Sequence, residues 1–231
     1  MILNSITYSK IQSHKINQWF IKKGWKMFNY QIKTAQEVAK NKDILVTSPT
    51  GSGKTFAGIL PTIINSNNFQ KDTLYTLYIS PLKSLSYDIE RNILSPIKEL
   101  NLNISIAVRT GDTSSYKKTL QLSKPPNILV TTPESFALLM SYKNADNYFK
   151  NLRYLIIDEL HHIINTKRGD LLTLNLARLN EIAPKHNKIA LSATLIDLNK
   201  GLKYFTANKK KIAIQNNTDK KFLISIIKTK K

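Results

Sequence analysis

The chain has 231 residues, 42% hydrophobic and 22% charged, with a formal net charge of +20 and no cysteine. That is enough apolar material for one good core, most simply a single domain with appendages, and it excludes wholesale disorder. The lack of cysteine excludes disulfides, thiolate metal sites and cysteine nucleophiles. No stretch approaches the ~18 apolar residues of a membrane span, and residues 1–20 lack the apolar centre of a signal peptide, so a cytoplasmic protein away from membranes is expected.

The charge points to a polyanionic partner. Yet 30 of the basic residues are Lys and only 5 are Arg, beside abundant Asn and Ile. An AT-rich coding sequence produces that bias without selection for binding. Guanidinium is also the better bidentate partner for phosphate. Arg109 and Arg168, which fall in motif-like stretches, are therefore stronger binding candidates than any single lysine.

In chain order, residues 1–18 read as an N-terminal extension, 19–208 as the folded domain and 209–231 as a basic tail or connector. Apolar, β-rich segments recur over 44–47, 74–80, 104–108, 128–131, 154–158 and 189–192. Helical patterns lie between them over 30–40, 55–64, 82–100, 113–122, 134–142 and 171–182. That alternation predicts βαβ units: an α/β, three-layer fold with a mainly parallel sheet. From Lys203 onward there are nine lysines against the single acid Asp219, which reads as a solvated tail.

The first chemical signal is Ser48-Pro49-Thr50-Gly51-Ser52-Gly53-Lys54-Thr55, a phosphate-binding loop between the 44–47 strand and a helix. Its glycines let backbone N–H groups converge on phosphate oxygens at a helix N-terminus. Lys54 then reaches the β/γ-phosphates, and the Thr55 hydroxyl is placed to hold Mg²⁺. The general pattern G-x-x-x-x-G-K-[ST] wants Gly where this chain has Ser48. The second signal is Leu155-Ile156-Ile157-Asp158-Glu159-Leu160-His161-His162, a buried parallel strand that delivers two carboxylates to its C-terminal edge. Asp158 is the expected Mg²⁺ ligand, directly or through water, and Glu159 the group that positions and deprotonates an attacking water. Zinc is disfavoured, because these histidines lack the i, i+4 pairing of a metalloprotease helix.

Three further loops follow strands directly: Pro81 with Lys83, Arg109-Thr110-Gly111, and Thr132-Pro133. Their hydroxyls, backbone N–H groups and one guanidinium suit a single-strand phosphate backbone better than base readout. Ordinary turn chemistry is the alternative for each. Arg168 is placed either on nucleic acid or in a pair with Asp170 or another acid. Trp25 and Phe28 read either as adenine-pocket or as core aromatics.

Taken together these residues resemble the first RecA-like domain of a superfamily 2 DEXH-box helicase, most like the large-helicase-related (Lhr) group and its ligase-associated type. The resemblance runs from about residue 19 to 198. Gly24-Trp25-Lys26-Met27-Phe28-Asn29-Tyr30-Gln31 resembles the Q-motif region, which implies that Gln31 reads the adenine edge. The family often has Ala where this chain has Ser48. Tyr78-Ile79-Ser80-Pro81-Leu82-Lys83-Ser84-Leu85 resembles motif Ia, and Arg109-Thr110-Gly111-Asp112-Thr113-Ser114-Ser115 a stretch typical of the Lhr group. Thr131-Thr132-Pro133-Glu134-Ser135 resembles motif Ib, Asp158-Glu159-Leu160-His161 motif II and Leu191-Ser192-Ala193-Thr194-Leu195 motif III. Lys167-Arg168-Gly169-Asp170 follows motif II as it does in Lhr-type proteins.

The resemblance implies that His161 couples nucleotide state to motif III, and that Ser192-Ala193-Thr194 relays between ATP and strand. His162 has no such role. ATP and Mg²⁺ are the implied cofactors, single-stranded nucleic acid, DNA in the first place, the implied partner, and DNA repair the implied setting. Such motors use two RecA-like domains, the second of which supplies an arginine finger. No arginine follows Arg178 here, so a separately encoded second domain is an expected partner, and weak ATP binding with poor hydrolysis and no unwinding is expected of this chain alone. A non-catalytic nucleic-acid-binding module and a decayed helicase fragment are the alternative readings.

Overall fold

The computed structural model describes residues 8–195, 197–206 and 210–216. Among them, seven strands form one sheet: β1 (Asp43–Thr47), β2 (Thr76–Ile79), β3 (Ile106–Arg109), β4 (Ile128–Thr131), β5 (Tyr154–Ile157), β6 (Asn187–Ser192) and β7 (Lys211–Gln215). Their order is β3-β4-β2-β5-β6-β1-β7, and every pairing is parallel. The helices are α1 (Tyr8–Ser13), α2 (Lys15–Lys22), α3 (Asn29–Ala39), α4 (Lys54–Ile64), α5 (Lys83–Glu99), α6 (Ser115–Ser123), α7 (Pro133–Met140), α8 (Ala145–Phe149), α9 (Lys167–Ile182) and α10 (Leu198–Phe205).

Side chains alternate across each strand, so successive residues feed two cores. Ile44, Val46, Tyr78, Ile156, Ile189 and Leu191 pack on one face with residues of α1 to α5. Leu45, Leu77, Ile79, Leu155, Ile157 and Ala190 pack on the other with residues of α7 to α10. This is the three-layer α/β arrangement that the alternation of elements predicts. A strand covered on both faces must be apolar throughout, which is why Ile44-Leu45-Val46 and Leu155-Ile156-Ile157 read as unbroken runs.

Two segments depart from the sequence reading. Residues 8–18, expected as an extension, form α1 and the start of α2, and bury Ile11 and Ile16 completely in the first core. The expected basic tail from 209 contains β7, which pairs in parallel with β1. Its text, Lys211-Ile212-Ala213-Ile214-Gln215, hides a short strand among lysines. An edge strand pairs on one side only, and here Ile214 is buried while Lys211 and Gln215 are exposed. The remainder of that tail, 217–231, lies outside the described residues. Helix α9 starts earlier than its apolar pattern, at Lys167, because the Thr166 hydroxyl caps it by accepting from Gly169 N.

The strand order divides the C-terminal edge of the sheet in two. The loops after β5, β6 and β1 are neighbours on one half. The loops after β3, β4 and β2 are neighbours on the other. Apart from Gln31 on α3, every predicted site residue falls on or beside one of these halves.

Candidate nucleotide and nucleic-acid site

On the first half, β1 runs into the phosphate loop and then α4. Gly51 and Gly53 adopt φ +70° and +88°, the left-handed region that a side chain disfavours. At Gly53 a Cβ would also stand 2.7 Å from Gln31 Nε2, so the turn there requires glycine. Lys54 Nζ donates to the carbonyls of Ser48 (2.9 Å) and Pro49 (3.2 Å). The Ser52 hydroxyl donates to Pro49 O at 2.6 Å and lies 2.5 Å from the Ser48 hydroxyl. Thr50 and Gly51 at the loop tip are exposed. Burial pushes the Lys54 ammonium below its ordinary pKa, and the Glu159 and Asp158 carboxylates oppose that shift.

Three residues brace the loop from outside. Tyr30 OH donates to Ser52 O (2.7 Å), and Gln31 Nε2 donates to Gly53 O (2.9 Å). Gln31 Oε1 accepts from Phe28 N at 2.8 Å, closing the N-terminus of α3. Asn216, just past β7, donates from Nδ2 to Ser48 Oγ at 2.9 Å. Gln31 is thus set against the phosphate loop, bonded also to the Tyr30 hydroxyl, and the second lone pair of its Oε1 is the valence left over. Of the two uncertain aromatics, Phe28 stacks on Tyr30 at an 18° interplanar angle, and Trp25 packs edge-on against Trp19 and Phe20. Both remain about half exposed.

Motif II faces this loop from β5. Asp158 is fixed at both oxygens: Oδ2 accepts from Tyr78 OH (2.8 Å) and Oδ1 from Glu159 N (2.9 Å). Burial pushes its carboxyl up to about 6, with the Tyr78 hydrogen bond pulling the other way. The Tyr78 hydroxyl also bonds the Thr55 side chain, so Thr55 and Asp158 converge on one phenol. Two hard oxygen donors at one point fit Mg²⁺, which takes few protein ligands and completes its shell with phosphate and water. Among the described residues no group of three or more His, Asp or Glu could hold a metal by themselves.

Glu159 has φ +46°, a strained conformation for a non-glycine residue and one that clusters at functional sites. Its Oε2 is buried without a hydrogen-bond partner and lies 3.4 Å from His161 Nδ1. That same nitrogen is 3.0 Å from Ser192 Oγ. The Ser192 hydroxyl donates onward to Thr194 O at 3.1 Å, which makes His161 Nδ1 the donor to Ser192. Burial holds the His161 imidazole below its ordinary pKa. His161 therefore stands between the two motifs, hydrogen-bonded to Ser192 of motif III and within 3.4 Å of the motif II glutamate. Ala193 is half-buried, and His162 is exposed beside His161.

On the second half, Pro81, Lys83, Arg109, Thr110, Gly111, Thr132 and Arg168 line one cavity of about 660 Å³. Pro133 sits at the first turn of α7, buried behind it. Lys83 Nζ pairs with Asp112 Oδ1 at 2.8 Å. Arg168 grips Glu134 with two bonds, Nε to Oε1 (2.5 Å) and Nη2 to Oε2 (3.2 Å), and Nη2 also donates to Pro81 O at 2.6 Å. Of the partners weighed for Arg168, the acid it meets is Glu134 from motif Ib.

Arg109 differs from its expectation as an exposed phosphate ligand. It is 1% exposed, and its guanidinium donates to Lys118 O (2.9 Å), Gln121 Oε1 (3.4 Å) and Tyr142 OH (3.2 Å). It staples the end of β3 to α6 and to the chain after α7, and so shapes the Thr110-Gly111 loop from behind. Thr110 Oγ1 is buried there without a partner.

Sequence reasoning missed Tyr30, Tyr78, Glu134 and Asn216. Tyr78 carried a signal, a phenol near the C-terminal end of the buried strand Thr76-Leu77-Tyr78-Ile79. Glu134 lay within a quoted motif. Nothing local marks Asn216.

The sequence pattern of the DEAD/DEAH box helicase family matches residues 28–200. The chain is 39% identical over 218 residues to the ATP-dependent helicase Lhr-Core of Methanocaldococcus jannaschii, covering 86% of this chain and 25% of that protein. It is 42% identical over 205 residues to the Lhr-Core helicase of Sulfolobus acidocaldarius, covering 82% and 23%. Its fold superposes with a TM-score of 0.79 on the Mycobacterium smegmatis helicase Lhr solved with ssDNA and AMP-PNP, at 29% identity, covering 88% of this chain and 28% of that one. The chain spans about a quarter of the length of the curated relatives it matches. Seven parallel strands in this order, with these loops on one edge, form a RecA-like motor domain, and the chain belongs to the DEAD/DEAH box helicase family.

Proposed function

We propose that this chain is the first, ATP-binding motor domain of an ATP-dependent DNA helicase. It binds ATP–Mg²⁺ on the β5-β6-β1 half of the sheet edge and single-stranded DNA in the groove on the β3-β4-β2 half. One observation carries the reading: Lys54 and Thr55 of the phosphate loop face Asp158 and Glu159, beside a groove that gathers the remaining motif residues.

Backbone N–H groups of the loop tip and the start of α4, Thr50, Gly51, Gly53 and Lys54 among them, cradle the phosphates, and Lys54 exchanges its bonds to Ser48 O and Pro49 O for phosphate oxygens. Thr55 and Asp158 would hold Mg²⁺, which when bound neutralises charge on the β- and γ-phosphates. Glu159, with one buried oxygen unpartnered, orients a water and takes its proton. His161, 3.4 Å from that carboxylate and bonded to Ser192, senses its charge and passes the change to motif III. Gln31, braced against the loop by Gly53 O, is the residue that reads the adenine edge.

The groove's hydroxyls and backbone groups take the sugar–phosphate chain without base readout, so binding is sequence-tolerant and falls with salt. The Mycobacterium smegmatis relative, solved with ssDNA and an ATP analogue, supports this assignment. A second RecA-like domain, in the same polypeptide or a separate one, supplies the arginine finger, worth ~10³–10⁵ in rate.

The test is ATP turnover by the 231-residue chain, with and without a single-stranded oligonucleotide, beside Lys54→Ala and Glu159→Gln. Slow, strand-stimulated turnover lost in both variants, with no strand separation, is the expected result. Turnover indifferent to Lys54 contradicts the reading.

A further inference from the structure

Of the four cations that line the groove, Lys83 is paired with the Asp112 carboxylate and Arg168 with Glu134, while Lys118 Nζ donates to Gly111 O and Arg109 is buried. The second pair has the fork geometry that a guanidinium offers a phosphate: Nε and Nη2 each donate to a different carboxylate oxygen, at 2.5 and 3.2 Å. Glu134 itself sits in the first turn of α7, where the helix terminus favours a negative group. Arg168 at the start of α9, Glu134 on α7 and Pro81 after β2 are thereby tied together across three loops of the groove.

Resting on the nucleic-acid reading of this groove, we infer that Glu134 is a built-in phosphate surrogate. It holds the Arg168 fork in a binding-ready orientation and is displaced by a phosphodiester when a strand enters. Each strand that binds must break the Arg168–Glu134 pair, so Glu134 sets the affinity below what the cations alone would give. The exchange also alters salt dependence. A guanidinium taken from a carboxylate releases no counterion of its own, and the freed Glu134 recruits a cation. The chain therefore behaves as though it made about one phosphate contact fewer than its structure offers.

The experiment is a fluorescence-anisotropy titration of a labelled oligo-dT with the 231-residue chain across a salt series. It compares the unaltered chain with Glu134→Gln, Arg168→Gln and the double substitution. The Glu134→Gln amide keeps an acceptor oxygen for Arg168 while losing the charge, so the tie across the groove is retained. Glu134→Gln is expected to bind about fivefold tighter, with a log-affinity against log-salt slope steeper by about 0.7. In the Arg168→Gln background the same change is expected to give no steepening and little gain. Equal or weaker binding by Glu134→Gln, or an equal gain with and without Arg168, overturns the surrogate and leaves Glu134 as a strut or a general field effect. An unaltered chain that binds no oligonucleotide at any salt defeats the nucleic-acid reading instead, which separates the two failures.

Discussion

The two halves of the sheet edge handle charge in opposite ways. Around the phosphate loop the charged groups are buried: Lys54 and Asp158 are each 7% exposed, and both are pushed by burial toward their neutral forms. Their hydrogen bonds run mainly to backbone and to buried hydroxyls, in a network that includes Ser48, Ser52, Thr55 and Tyr78. In the groove, Arg109 apart, the charges lie at the surface, and two cation–carboxylate pairs there neutralise each other with side chains 40–65% exposed. A buried, dehydrated site strengthens every electrostatic contact that a nucleotide makes there and tolerates no misplacement. An exposed, self-paired site is weak in each contact and tunable by salt. On the proposed function, the buried half suits a tightly held nucleotide and the exposed half a strand that is bound and released.

The largest effect expected from breaking this contrast is structural. Gly169 lies beside the Arg168 clasp, where an added Cβ would stand 2.3 Å from Ile163 O and 2.7 Å from Tyr204 OH. Gly169→Ala is expected to lower stability by about 3 kcal/mol and to weaken strand binding more than nucleotide binding, as read by urea denaturation and the two titrations. Next comes Lys54→Ala, expected to weaken ATP–Mg²⁺ binding about a hundredfold while leaving oligonucleotide affinity within twofold.

Asp158 gives a smaller effect with a definite sign. Its folded pKa, about 6, lies above the ordinary 3.8. The protonated carboxyl therefore contributes stability that is full below about pH 4 and lost as pH rises through 6. Asp158→Asn is expected to be more stable than the parent by about 1–2 kcal/mol at pH 8 and equal to it near pH 4. A variant less stable at pH 8 would mean that the carboxylate holds the fold rather than the ligand. The smallest effect is expected at Lys83→Ala on the exposed side: less than about fivefold in strand affinity, a shallower salt slope, and no measurable change in melting.

How much of this was legible in the sequence follows from the same contrast. The buried half announces itself, because its chemistry needs particular residues at fixed spacing after apolar strands: Gly51, Gly53 and Lys54 after β1, and Asp158 and Glu159 after β5. The sheet was legible for a related reason, since strands covered on both faces are apolar throughout. What sequence could not supply is long-range pairing. The Tyr78–Asp158 bond spans 80 residues and the Asn216–Ser48 bond 168, and no local pattern encodes either. Arg109 reads by its residue type as a surface cation, whereas packing from α6 and Tyr142 takes it inside. Strand β7 was hidden because its apolar text is only Ile212-Ala213-Ile214, beside the lysines at 209–211.

On the proposed function, nucleotide and strand occupy separable halves of one edge. That separation is tested most directly by measuring both affinities, for an ATP analogue with Mg²⁺ and for an oligo-dT, on Lys54→Ala and on the Lys83→Ala/Arg168→Gln pair. A crossed result is expected: the first variant loses nucleotide and keeps the strand, and the second keeps nucleotide and loses the strand. Parallel losses of both ligands in both folded variants would contradict it.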